Sequence, residues 1–307
     1  MKRFITDKWH LRFLVLLFAV LIWRLLYLWI APLDLAPDEA YYWDWSRHLD
    51  WCYYSKPPMV AWIIALSTRT LGVFTETVRM PAVFLWGCGT IFLYMLARRL
   101  FDSKTAFWAI LAGILTPGSC ALGFIMTIDA PLVCLWSISM YALWRALEEP
   151  AKSLKWWLLM AASSGLGLLS KQIMIAFPLL MLLFMAISPN DRNLLKTWRP
   201  YASIGGSLIF LIPVMLWNFE HNWITLHHTG HHFEGHSFSV WSALATFFDF
   251  FLSQAGLMSP LTWFLLILAA GGVFINWQHE PPPPPPLSFF SFSQGPPFWF
   301  FFFNFCS

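Results

Sequence analysis

The sequence predicts an all-α fold, a helical bundle that crosses a membrane several times. Three observations carry this reading. The 307 residues are 58% hydrophobic and only 11% charged, whereas soluble domains carry about 25% charged residues. The apolar residues gather into runs of a length suited to the hydrocarbon layer, about 30 Å thick. The cations, finally, sort to one side of those runs.

The first run, residues 11–31, follows Lys2, Arg3, Lys8 and Arg12. A cleavable signal peptide begins in the same way, but its apolar core is about 7–15 residues long and ends at a small-residue site. This run is longer and passes into an aromatic loop, so it is read as a retained first span. Further runs at 80–97, 106–124, 131–147, 156–169, 173–187, 201–217 and 259–277 bring the expected total to about eight spans. Residues 241–258 are apolar with polar interruptions, which suits an interfacial or partial span.

If the spans alternate, one side holds Lys2, Arg3, Lys8, Arg12, Arg98, Arg99, Lys104, Arg145, Lys152, Lys155, Arg192, Lys196 and Arg199. The other holds Arg47, Lys56, Arg69, Arg79 and Lys171, and Arg24 lies within the first span. An excess of Lys and Arg marks the cytoplasmic side. The N-terminus is therefore expected in the cytoplasm. Asp38, Glu39, Lys56, Asp129, Lys171 and the polar stretch 218–239 then share the outer face. Ionisable groups near membrane depth are costly and mark function.

Other classes are excluded by composition. A formal net charge of +3 on scattered carriers gives no footprint for nucleic acid. Five cysteines with no CxxC or Cys/His spacing predict neither a disulfide framework nor structural zinc.

The richest stretch is the first outer loop, residues 33–59, with adjacent carboxylates (Asp38, Glu39), a row of aromatics and Lys56-Pro57-Pro58. Pro37 suits the first turn of a helix, which sets both carboxylates at the positive end of its dipole. Tyr41 and Tyr42, three and four residues on from Asp38, share its face. Trp43, Trp45 and Trp51 suit a helix lying in the headgroup layer. On spacing alone, capping of that helix explains the carboxylates as well as chemistry does. Lys56, held by two prolines in an extended entry to the next apolar segment, offers a point charge to a phosphate or snorkels to the headgroups. A carboxylate and an ammonium on one outward loop fit transfer at a lipid phosphate, one activating a nucleophile and the other steadying the leaving group.

The run Asp38-Glu39-Ala40-Tyr41-Tyr42, followed by Tyr53-Tyr54-Ser55-Lys56-Pro57-Pro58, resembles glycosyltransferase family 39, which groups protein O-mannosyltransferases with lipid A aminoarabinose transferases. The resemblance continues through Glu76-Thr77-Val78-Arg79-Met80-Pro81, Thr127-Ile128-Asp129-Ala130-Pro131 and Gly167-Leu168-Leu169-Ser170-Lys171. It implies a GT-C fold and inverting transfer of a sugar from a polyprenyl-phosphate carrier to an acceptor (lipid A, another glycan or a protein) on the outer side of a bacterial inner membrane. Carried over by motif, Asp38, Glu39 and Asp129 form the catalytic set, with Asp38 activating the acceptor and Glu39 supporting it. Lys56 binds the carrier phosphate, Tyr42 and Tyr53 line the site, and Arg79 and Lys171 are further phosphate contacts. Asp129 also reads as a turn residue before Pro131, and Lys171 and Arg24 as snorkelling side chains.

No cofactor or metal is expected. Ser55 stands where some relatives carry a metal-binding Glu, and Gly230 and Gly235 argue that the histidines around 221–236 lie in a loop. From residue 279 the chain turns into six prolines and a Phe-rich end, read as a disordered tail or the product of a shifted frame, which leaves an inactive fragment as one alternative. A transporter or flippase is the other. Such proteins, however, set their charges at the bilayer midplane on broken helices in repeated halves, and no internal repeat is found in this sequence.

Overall fold

A computed structural model describes residues 7–31, 33–149, 153–231 and 240–279, and every regular element among them is helical. The Pro- and Phe-rich tail, 280–307, lies outside the described residues, as do His232, Glu234 and His236.

Helix α1 (Lys8–Ile30) starts where the Asp7 side chain accepts the Trp9 amide at 3.0 Å, a side-chain cap for an otherwise orphan donor. Much of its surface is apolar and exposed, including Phe18, Trp23, Trp29 and Ile30, as expected of a helix facing lipid. The first loop then folds into α2 (Pro37–Arg47), and α3 (Met59–Leu71) follows. Helix α4 (Thr75–Leu100) is the longest, with Pro81 near its start and Arg98 and Arg99 in its last turn, where cations suit the dipole.

The expected span at 106–124 is two helices, α5 (Ser103–Ile114) and α6 (Pro117–Leu122). Thr116-Pro117-Gly118 breaks it, because proline cannot donate to the preceding turn. Helix α7 (Asp129–Glu148) is the most deeply buried of the long helices and lies between α4 and α8 (Leu154–Leu168). Small residues let these backbones approach. A Cβ on Gly89 of α4 would meet the Cys134 backbone at 3.3 Å, and Ser139 of α7 bonds Ser163 at 2.7 Å. Small residues and hydroxyl contacts are what helix packing in membranes uses.

Beyond α8, a 3-10 turn at Gln172–Ile175 leads into α9 (Ala176–Ile187). Then come α10 (Arg199–Leu208), α11 (Ile212–Glu220), α12 (Ile224–His231), α13 (Val240–Met258) and α14 (Pro260–His279). Four stretches are long and apolar enough to cross a membrane: Lys8–Ile30, Thr75–Leu100, Asp129–Glu148 and Arg199–Glu220. Within α13 and α14, Leu244–Met258 and Pro260–Ala269 meet at 113° as a broken span or re-entrant loop. Among the described residues four of the expected runs form helices of full membrane length, or five with the bent pair, and the other apolar helices are shorter.

Candidate active site

The site grows from the starts of three helices and the end of a fourth. The chain enters α2 at Pro37, so Asp38 and Glu39 occupy its first turn. Adjacent residues on a helix point about 100° apart, and the two carboxylates meet opposite fates. Glu39 is fully buried. Its Oε2 accepts the Ala36 amide at 3.0 Å and Arg79 Nη2 at 2.7 Å, and its Oε1 accepts Arg79 Nε and the Met126 amide, both at 3.0 Å. Asp38 is exposed and makes no hydrogen bond or ion pair among the described residues. One carboxylate ties the loop together; the other stays open to a substrate.

Arg79, which the resemblance offered as a phosphate contact, directs its donors to the protein. Its Nε and Nη2 bind Glu39, while Nη1 and Nη2 also donate to the Leu33 and Asp34 carbonyls at 2.9 and 2.7 Å. A charge this buried requires a full set of partners, and its partners here belong to the protein.

Asp129 opens α7, and its Oδ1 accepts Lys171 Nζ at 2.9 Å. The pair is only partly buried, and it joins the start of α7 to the end of α8. Lys171 holds a carboxylate, and a phosphate would have to compete for it. The Met126–Glu39 bond brings this corner against α2. Tyr42 is buried between the two groups. Burial first, and then the charges of Asp38 and Asp129, push its phenol up from the usual range, so it stays protonated.

Lys56 is half-buried, and its ammonium makes no ion pair among the described residues. Its backbone is fixed. The Lys56 carbonyl accepts the Tyr53 amide at 3.1 Å, and immediately after Pro57-Pro58 the Met59 amide donates to the Leu169 carbonyl at 3.0 Å. This bond sets the Lys56 strand beside the end of α8 that leads to Lys171.

Tyr53 faces inward rather than presenting its hydroxyl to a substrate. Its hydroxyl bonds the Trp45 and His48 carbonyls at 3.2 and 3.1 Å and the Asp50 amide at 3.1 Å, its ring stacks on Trp45 at 4.4 Å, and burial raises its phenol. Behind that stack a cavity of about 580 Å³ opens towards the α11–α12 turn, lined in part by His48, Asp50, Trp217 and His221. Asp38, Glu39 and Lys56 are not among its walls; it lies at the far end of α2.

Three supports of the site carried no signal in the sequence. Cys52 is fully buried, with Sγ 3.5 Å from both Thr225 Oγ1 and Asn218 Nδ2, and Thr225 Oγ1 donates to the Tyr53 carbonyl at 2.9 Å. These bonds tie the Lys56 strand to α11 and α12 across more than 160 residues. The link passes through Asn222 and Trp223, both at positive φ (53° and 58°), a conformation that costs a bulky residue energy. The histidines expected in a loop are in part helical: His227, His228 and His231 lie in α12 together with Gly230, where His228 contacts the Tyr54 ring at 4.7 Å, and His221, just before α12, stacks on Trp217 at 3.9 Å. No group of three or more His, Cys, Asp or Glu side chains is placed to hold a metal among the described residues.

Long apolar helices, a helix break at Pro117 and a charged loop held by a buried ion pair describe a polytopic helical membrane protein, and the solved structures it matches give it the GT-C fold. The crystal structure of ArnT from Cupriavidus metallidurans in the apo state shares this fold, with a TM-score of 0.59 over 89% of this chain and 56% of that one, at 20% identity. The undecaprenyl phosphate-bound form aligns with a TM-score of 0.55 over 67% of this chain, at 24% identity. The family model for dolichyl-phosphate-mannose-protein mannosyltransferases matches residues 55–217, more than half of the sequence, and the chain belongs to that family.

Among curated relatives, the lipid A galacturonosyltransferase RgtD of Rhizobium johnstonii is 25% identical over 83% of this chain. The undecaprenyl phosphate-alpha-4-amino-4-deoxy-L-arabinose arabinosyl transferase of Erwinia tasmaniensis is 28% identical over 59%. The chain spans 53% of the length of the first and 36% of the second.

Proposed function

We propose that the protein transfers a sugar from a polyprenyl-phosphate carrier to a lipid A or lipopolysaccharide-core acceptor on the outer face of a bacterial inner membrane, with its N-terminus in the cytoplasm. One observation supports this above the others. An open carboxylate, Asp38, and an ammonium with no ion pair among the described residues, Lys56, stand on one loop, beside a Glu39 that is tied to Arg79 and an Asp129 that is tied to Lys171. Asp38 takes the proton of the acceptor hydroxyl as its oxygen attacks the anomeric carbon. The bond from that carbon to the carrier phosphate breaks, and Lys56 steadies the departing phosphate oxygen. Attack from the face opposite the leaving group inverts the anomeric centre. Asp129, held by Lys171, is the second acidic group at the site. Tyr42, protonated between the two carboxylates, is a hydrogen-bond donor to the sugar. The names of the relatives, which act on lipid A, the lipopolysaccharide core and undecaprenyl-phosphate-linked aminoarabinose, support both substrate classes. A glycan or protein acceptor is the alternative the family name leaves open. The reading includes no metal, because Ser55 occupies the position of the metal-binding Glu found in some relatives.

The test is transfer from labelled polyprenyl-phosphate sugar to lipid A in proteoliposomes, with and without EDTA. Asp38→Asn is expected to lower the rate about 100-fold or more at unchanged thermal stability, and EDTA to leave the wild-type rate as it was. Equal rates for wild type and variant would remove Asp38 from the chemistry. Orientation is read by adding the acceptor only to the face that also exposes Tyr54.

A further inference from the structure

Arg24 sits in the fifth turn of the first span and is 2% exposed. A snorkelling arginine would extend along the helix to the headgroups; this one turns across the bundle. Its Nη2 donates to the Ser119 carbonyl at 3.1 Å. Its guanidinium carbon lies 3.8 Å from the centre of the Trp86 ring and 5.1 Å from that of Phe124. Trp86 is itself held, its indole N–H donating to Ser119 Oγ at 2.9 Å. The Arg24 Nη1 is buried with no hydrogen-bond partner and lies against Gly123, where a Cβ would occupy the same space. No carboxylate pairs with Arg24 among the described residues. An unneutralised buried cation is costly and calls for a function.

What Arg24 grips is the link to the candidate site. Ser119 belongs to α6, and Gly123 and Phe124 form the turn that follows. Two residues beyond Phe124, the Met126 amide binds Glu39, and Asp129 then starts α7. Because α5 and α6 are broken at Pro117, no continuous helix fixes this turn from behind.

We propose that Arg24 is a positioning residue, a cation clamp inside the membrane that fixes the 123–128 link and so sets where the Met126 amide and Asp129 meet the site. This rests on the reading of the site given above, but its first readout does not. Hydrogen–deuterium exchange on the purified full chain is expected to rise about threefold or more in peptides covering 123–128 for Arg24→Leu, with the 132–147 region of α7 unchanged. Gly123→Ala, which displaces the guanidinium, is expected to do the same. In an Arg24→Ala background, Gly123→Ala should add nothing further, since the clash it creates is then gone. Arg24→Lys, which keeps the charge without the fork or the stacked plane, should fall between.

In the transfer assay kcat is expected to fall about 10- to 100-fold for Arg24→Leu, as for other displacements of about 1 Å. An unchanged 123–128 region, a rise spread evenly over the bundle, or additive effects of the two substitutions would each overturn the clamp. If Arg24→Leu does not fold, Gly123→Ala with and without Arg24→Ala decides the question. A wild-type chain that transfers no sugar would count against the proposed function and leave the exchange comparison standing.

Discussion

The two ends of the loop between α1 and α3 are held by opposite means. The α2 end is pinned by charge: Glu39 and Arg79 bury an ion pair and close it with the Ala36 and Met126 amides and the Leu33 and Asp34 carbonyls. The Lys56 end is pinned by neutral and weak bonds, through Cys52, Thr225, Asn218 and the Tyr53–Lys56 turn. A buried pair left half-made is strongly destabilising, whereas a neutral hydrogen bond contributes about 1 kcal/mol. The difference shows where freedom is kept. Among the described residues, Asp38 stands on the rigid end with no bond to hold its carboxylate, and Lys56 rides on the softer end with no carboxylate to neutralise it.

The largest effect should come from the rigid end. Arg79→Leu leaves the Glu39 carboxylate buried without its cation and is expected to cost about 3–5 kcal/mol, read as loss of folded protein in detergent melts. Adding Glu39→Gln should recover part of that loss. Equal stability of wild type and Arg79→Leu would break the contrast between the two ends. Next comes Lys56→Met, expected to weaken inhibition by free polyprenyl phosphate about 10-fold or more, the loss of a charge-assisted contact, with the melting temperature unchanged. If inhibition persists, the phosphate is held elsewhere. The smallest effect belongs to the soft end, where Thr225→Val should cost about 1 kcal/mol. Burial raises the Cys52 thiol, so its reaction with maleimide should stay slow at neutral pH and quicken only as the pH rises. Thr225→Val should speed that reaction by opening the pocket around the sulfur.

Much of this arrangement was legible in the sequence. Composition and run length gave the bundle, and the charge asymmetry put the acidic loop, Asp129 and Lys171 at one end, where the Met126–Glu39 and Lys171–Asp129 bonds join them. The resemblance gave Asp38 the chemistry and Glu39 a supporting role, but spacing alone did not separate them, because what separates them physically is Arg79, 40 positions away, and one backbone amide at Met126. Arg79 and Lys171 read as phosphate ligands for the same reason: a cation's partner is invisible until the chain brings it close. The break at Thr116-Pro117-Gly118 was visible as turn chemistry but was masked by apolar residues on both sides. Cys52, Thr225 and Asn218 stand in no motif, and only the folded chain puts them together. The direction an arginine takes, across the bundle or up to the surface, is set by tertiary space such as that left by Gly123, which leaves no mark on hydropathy.

The uncommitted Lys56 bears on the pace of the proposed reaction as well as its course. A sugar-linked carrier phosphate is a diester with one negative charge. Once the sugar leaves it is a monoester carrying about −1.5 to −2 at neutral pH, as other phosphate monoesters do. A lone cation facing that group therefore grips the spent carrier harder than the loaded one. The inhibition titration proposed for Lys56→Met would show it in the wild type as carrier phosphate binding more tightly than donor. Turnover would then be limited by emptying the site, and anything that draws spent carrier away from the membrane would speed the enzyme.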